Sequence, residues 1–141
     1  MKTRLYDASS IMLLAKRNPE TAWATLEGQC ILDLTRYELG NALWKVAKLI
    51  DKSDKSTALE ALEHVHSLTA LMEVMRPEGL EELTDTMKIA FDTGLSFYDS
   101  SYIQTARRNG LDLVTEDGQL MKRAKELGLG CLRATDCNPQ N

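Results

Sequence analysis

Cysteine and proline are scarce, histidine scarcer, and basic charge is not in excess. The 141 residues hold three Cys, three Pro, two His, and 17 Lys and Arg against 21 Asp and Glu, a formal charge of −4. Each shortage excludes something. Cys30, Cys131 and Cys137 are too few and too scattered for a disulfide framework or a zinc site, so reduced thiols in a cytoplasmic protein are expected. His64 and His66 stand two apart in a helical stretch, which puts them on different faces rather than at ligand spacing. The longest apolar runs, such as Ile11–Ala15, fall far short of the roughly 20 residues that a membrane span needs. Lys2 and Arg4 are followed by Asp7 and small polar residues, with no secretory apolar segment. An acidic balance argues against a general nucleic-acid coat, which is normally basic. It does not exclude an enzyme acting on nucleic acid, because the charge is unevenly spread. Residues 56–98 carry eight acids and two bases, so the remainder sums to +2.

What is present is an ordinary apolar fraction, 43%, enough for one domain spanning residues 1–141 with a polar, loose tail from about Thr135. Strand-like and helix-like segments alternate. Thr3–Tyr6 starts a strand that ends at Asp7. Asn18-Pro19 supplies an N-cap and a first-turn proline for a helix to about Glu27. Cys30–Leu34 reads as a second strand, and Thr35 opens a helix with apolar residues Leu39, Leu43, Val46 and Ile50 at helical spacing. A further helix carries Leu59, Leu62, Val65 and Leu68, followed by a third strand over Leu71–Met75. Helices over Leu80–Ala90 and Ser96–Arg108, the latter closed by Gly110, precede a fourth strand at Leu111–Val114. A helix over Gln119–Leu127 and a short strand at Cys131–Ala134 complete the order. Such alternation predicts an α/β fold: a three-layer α/β/α sandwich on a mostly parallel sheet of about five strands.

In such a sheet, ligands bind beyond the carboxyl ends of the strands. Asp7 ends the first strand, Glu38 lies a turn into the helix after the second, and Asp117 follows the fourth. Asp99 opens the helix before that fourth strand, which brings its N-terminus to the same edge. Each acid has a local structural explanation as well. Thr35-x-x-Glu38 and Ser96-x-x-Asp99 match capping boxes, Asp117 can cap the next helix, and Asp7 can serve a turn. As a group they predict more, since four converging carboxylates repel one another and call for a cation. Oxygen ligands without His or Cys select Mg²⁺ or Mn²⁺, and the chemistry that follows is metal-assisted phosphodiester hydrolysis.

Four segments carry a resemblance: Leu5-Tyr6-Asp7-Ala8-Ser9, Glu38-Leu39-Gly40-Asn41-Ala42-Leu43, Gly94 to Tyr102, and Leu113-Val114-Thr115-Glu116-Asp117. In order and spacing they resemble the motifs of PIN-domain ribonucleases over nearly the whole chain. A short PIN domain with nothing appended is most similar to the VapC-type toxins of prokaryotic toxin–antitoxin pairs. The resemblance implies a divalent-metal-dependent endoribonuclease with Asp7, Glu38, Asp99 and Asp117 as its acidic quartet. It also implies polar contacts from Ser9, Thr115 and Asn41, an RNA substrate, a homodimer and a small antitoxin covering the groove. Glu116 competes with Asp117 as the ligand, and the family's Thr-x-Asp spacing selects Asp117. Arg107 and Arg108, with Lys122, Arg123 and Lys125, read by default as a solvated face; their functional reading is a phosphate-tracking rim, joined by Lys45 and Lys48 on the Glu38 helix. Trp23 and Trp44 are expected in the core or an interface. Two other readings remain: a non-catalytic RNA- or protein-binding module, and an aspartate-dependent phosphatase with Asp7 as nucleophile. The second lacks the usual acid two residues on, where Ser9 stands.

Overall fold

A computed structural model of the chain describes residues 1–139. The elements are β1 (Arg4–Tyr6), α1 (Ala8–Ala15), α2 (Pro19–Leu26), β2 (Cys30–Leu32), α3 (Asp33–Lys45), α4 (Lys55–Thr69) and β3 (Glu73–Met75). Then come α5 (Leu80–Thr93), α6 (Phe97–Asn109), β4 (Asp112–Val114), α7 (Gly118–Glu126) and β5 (Cys131–Leu132). The five strands pair in parallel in the order β3-β2-β1-β4-β5. Successive strand residues point to opposite faces, and here both faces are covered. Tyr6, Ile31 and Val114 join Ile11, Leu14, Leu26, Leu39 and Leu68 in one core. Leu5, Cys30, Leu32 and Leu113 join Ile89, Tyr102, Ile103, Leu120 and Ala124 in the other. The result is the three-layer sandwich, with α1, α2 and α4 on one side and α5, α6 and α7 on the other.

Local chemistry sets most element ends. Asn18 Oδ1 accepts the amides of Glu20 and Thr21 at the start of α2. Asp54 Oδ1 accepts the Thr57 amide at the start of α4. Gly94 and Gly110 close α5 and α6 with φ of +76° and +65°, backbone that a side chain would strain. The second strand is shorter than its apolar pattern predicts. Thr35 does not cap α3 from outside; its hydroxyl accepts the Leu32 amide at 3.0 Å from the helix's first turn, so the chain coils from Asp33. Past Lys45, α3 widens into π-helical turns over Val46–Ile50. The expected loose tail begins instead with a 3₁₀ turn at Ala134–Asp136, and Cys137 is buried against Tyr6's side of the core. The three cysteines are free thiols. Among the described residues no helix is long and apolar enough to cross a membrane.

The sheet order turns back at β1, flanked by β2 and β4. At such a switch point the adjacent loops diverge to opposite faces and leave a crevice at the strands' carboxyl ends. The residues emerging there are Asp7 after β1 and Thr115, Glu116 and Asp117 after β4.

Candidate functional site

Asp7 is the most enclosed of the four acids, with 6% of its surface exposed. It caps α1, its Oδ1 accepting the Ser10 amide at 2.9 Å and the Ser9 hydroxyl at 2.7 Å. Its Oδ2 accepts a short hydrogen bond from the Thr115 hydroxyl. Burial raises its pKa, and the bonds from Thr115, Ser10 and Ser9 oppose that rise by favouring the anion. The two hydroxyls are themselves held from β4's side. Thr115 Oγ1 accepts the Asp117 amide and Ser9 Oγ accepts the Glu116 amide, both at 3.0 Å. Ser9 and Thr115 thus lace the end of β1 to the loop after β4.

Glu38 sits in the second turn of α3, half-buried. Its Oε1 accepts the Tyr102 hydroxyl from α6 at 2.5 Å. Its pKa is raised first by burial and further by the charges of Asp7 and Asp99, while Tyr102 opposes the shift. The capping-box role expected for Glu38 is displaced, because Thr35 lies inside the helix and its hydroxyl is engaged with Leu32 and Tyr102.

Asp99 stands in the first turn of α6, whose cap Ser96 accepts the Asp99 amide at 3.1 Å. Burial, then the charges of Asp117 and Asp7, raise its pKa, and the Ser96 hydroxyl lowers it. Asp117 is exposed and caps α7, with Oδ1 accepting the amides of Gln119 and Leu120 at 2.9 and 3.2 Å. Glu116 turns the other way. Its Oε2 accepts the Ala134 amide at 2.7 Å and its Oε1 lies 3.7 Å from Arg133 Nη1, which ties it to the β5 end of the sheet.

The four carboxylates therefore form a chain of neighbouring charges, Glu38 to Asp7 to Asp99 to Asp117, in which three are pushed toward their neutral forms. Among the described residues no three His, Cys, Asp or Glu are gathered closely enough to enclose an ion as they stand. The donor chemistry fits a hard divalent ion nonetheless. All four groups offer oxygen, and a cation would relieve the carboxylate repulsion that adds to burial in raising the Glu38 and Asp99 pKa values.

Residues 5–127 match the PIN domain family. The chain belongs to that family. It is 36% identical over 122 residues to a protein named Exonuclease VapC9 of Pyrobaculum aerophilum, covering 86% of this chain and 85% of that one. It is 32% identical over 130 residues to Ribonuclease VapC3 of the same organism, covering 83% and 91%. The fold matches the crystal structure of PAE2754 from Pyrobaculum aerophilum with a TM-score of 0.77 and 34% identity, covering 94% of this chain and 90% of that one. With these relatives, it is a PIN domain of the VapC type.

Within this PIN domain the remaining expected residues divide. Asn41 and Lys45 are exposed on α3, three and seven residues beyond Glu38 and so along one helical face. Lys45 lies on the order of 10 Å along the axis from Glu38, at 1.5 Å per residue. Arg107 and Arg108 are not brought to the acids. They occupy the last turn of α6, while Asp99 occupies its first, a separation on the order of 12 Å along the axis. Arg123 and Lys125 likewise fall in the last turn of α7. Positive charge there complements the helix dipole, and Arg108 pairs with the largely buried Glu82 at 3.1 Å. Of the basic residues considered for a rim, Arg107, Arg108, Arg123 and Lys125 thus sit at the helix ends away from the acids, while Lys45 stays on the Glu38 helix. Tyr102 and Thr35 are the participants that sequence reasoning missed. Tyr102 lies within a recognised segment, but its partner Glu38 is 64 residues away.

Proposed function

We propose that this VapC-type PIN domain is a divalent-metal-dependent endoribonuclease and the toxin of a toxin–antitoxin pair. The observation that carries the reading is the set of Asp7, Glu38, Asp99 and Asp117 about the sheet's switch point, where Glu38 feels the charges of Asp7 and Asp99, and Asp99 those of Asp117 and Asp7. These four would hold Mg²⁺ or Mn²⁺. When bound, the ion supplies positive charge that polarises a phosphoryl oxygen and acidifies a water. The chain's own residues orient the parts. Ser9 and Thr115 fix the Asp7 carboxylate, while Asn41 and Lys45 offer a donor and a positive charge to the RNA backbone along α3. Arg107 and Arg108 have no part in this step.

Asp7 as a phosphatase nucleophile is disfavoured, because the position two residues on, where such enzymes usually carry a second acid, is Ser9, whose hydroxyl donates to Asp7 Oδ1. For partners, exposed Trp44, Leu59 and Leu62 border a groove of about 310 Å³ between α3 and α4, a surface suited to the antitoxin. A basic antitoxin side chain among the carboxylates would neutralise them as a cation does. Leu80, Leu83, Met87 and Phe91 form an exposed apolar line on α5 suited to a homodimer.

The test uses partner-free protein and two RNAs, one linear and one circular. Cleavage of both with Mg²⁺ or Mn²⁺, abolished by EDTA and lost at least a hundredfold in Asp7→Asn and Asp99→Asn, is expected. Cleavage of the linear RNA alone would make it an exonuclease. Binding without cleavage would make it a non-catalytic module, and metal-independent cleavage would sink the mechanism.

A further inference from the structure

Tyr102 is 1% exposed, and its ring is locked into the core between α6 and the sheet. Its hydroxyl, however, is not satisfied by the core. It donates to Glu38 Oε1 at 2.5 Å and lies 2.7 Å from Thr35 Oγ1, which accepts the Leu32 amide at 3.0 Å. The backbone end fixes the direction of this chain, since an amide can only donate. Thr35 Oγ1 accepts from Leu32 and has one proton to pass on. Tyr102 gives its single proton to Glu38, so Thr35 must donate to the Tyr102 oxygen. The order is Leu32 N–H to Thr35 O–H to Tyr102 O–H to Glu38. Each donor is polarised by the one behind it, and the chain ends on a carboxylate oxygen that can only accept.

The same construction holds Asp7. Asp117 N–H donates to the Thr115 hydroxyl and Glu116 N–H to the Ser9 hydroxyl, and each hydroxyl donates to one Asp7 oxygen. The Tyr102 chain differs in that it bridges two helices, for it joins α3, which carries Glu38, to α6, which carries Asp99.

We propose that Tyr102 is a positioning residue for Glu38, with Thr35 setting the direction of the bond that holds it. The proposal rests on the metal-site reading above. Groups that orient a metal-binding carboxylate typically affect affinity tenfold to a hundredfold when removed.

Tyr102→Phe retains the ring and deletes only the hydroxyl. Manganese(II) binding, measured by calorimetry on the partner-free protein, is expected to weaken about tenfold in this variant while its circular dichroism stays that of the wild type. In a Glu38→Ala background, Tyr102→Phe should change affinity less than twofold, because its target is gone. Thr35 provides a second route if Tyr102→Phe does not fold: Thr35→Val should weaken Mn²⁺ binding and Thr35→Ser should preserve it. Equal affinity in wild type and Tyr102→Phe, or the same tenfold loss with and without Glu38, overturns this proposal alone. Failure of the wild type to bind Mn²⁺ overturns the metal reading and this proposal with it.

Discussion

Asp7 and Glu38 are held by hydroxyls of distant segments, Thr115 and Tyr102, whereas Asp99 and Asp117 stand at the first turns of α6 and α7 beside local donors. The first pair depends on Thr115 and Tyr102, which arrive from other elements, with Ser9 and Thr35 as nearer links in each chain. The second depends on Ser96 and on the amides of Gln119 and Leu120, all within three residues. A carboxylate held through tertiary contacts keeps its place only while the whole sheet edge is assembled. One held at its own helix terminus needs only that helix.

The contrast is broken most severely at Thr115. Thr115→Val keeps the β-branched shape but removes the donor to Asp7 Oδ2 and the acceptor for the Asp117 amide. Cleavage and Mn²⁺ affinity should fall by roughly ten- to a hundredfold. The counterpart in the other pair, Ser96→Ala, should reduce cleavage less than threefold at a cap cost of about 1 kcal/mol. Steady-state cleavage rates of the two variants, measured side by side, decide it. Similar losses would mean that the two pairs are held alike.

Legibility in the sequence follows the same division. Asn18-Pro19, Gly94, Ser96 and Gly110 announce their helix ends because caps are satisfied within a few residues. The strands are legible because both faces are apolar, and the four acids because each lies at or within two turns of the end of such an element. What is not legible is anything that a residue far along the chain decides. Thr35 carries a capping signal in the sequence, but its hydroxyl is shared with Tyr102, 67 residues away. Glu116 and Asp117 are equivalent as neighbours until Ala134 engages Glu116 from 18 residues away. Arg107 and Arg108 are close in sequence to β4, yet α6 runs opposite to the strands, so nearness along the chain becomes distance from the acids.

A milder test uses pH. Asp99 has a raised pKa in the folded protein, from burial and from the charges of Asp117 and Asp7. A group whose folded pKa exceeds its unfolded one binds more protons when folded, so its ionisation costs stability as pH rises through the interval between the two. Asp99→Asn removes that charge. Without metal, the variant should melt above the wild type at pH 7.5. The advantage should shrink as pH falls toward the ordinary carboxylate range, where wild-type Asp99 is itself neutral. Melting curves in EDTA across that range check it. An advantage that is constant with pH, or absent at pH 7.5, would mean that Asp99 feels no such repulsion.

The smallest effect separates the two roles of Asp117. Its Oδ1 caps α7, so Asp117→Ala should lose about 1 kcal/mol, whereas Asn caps as well as Asp and Asp117→Asn should stay within about 0.3 kcal/mol of the wild type. Both substitutions remove the charge that raises the Asp99 pKa, so both should lower cleavage alike. Denaturant unfolding reads the first quantity and RNA cleavage the second. If Asp117→Asn is fully active, Asp117 is a cap and nothing more, and the acidic site is Asp7, Glu38 and Asp99. If the two variants are equally inactive but differ in stability, one side chain serves the helix with one oxygen and the site with its charge.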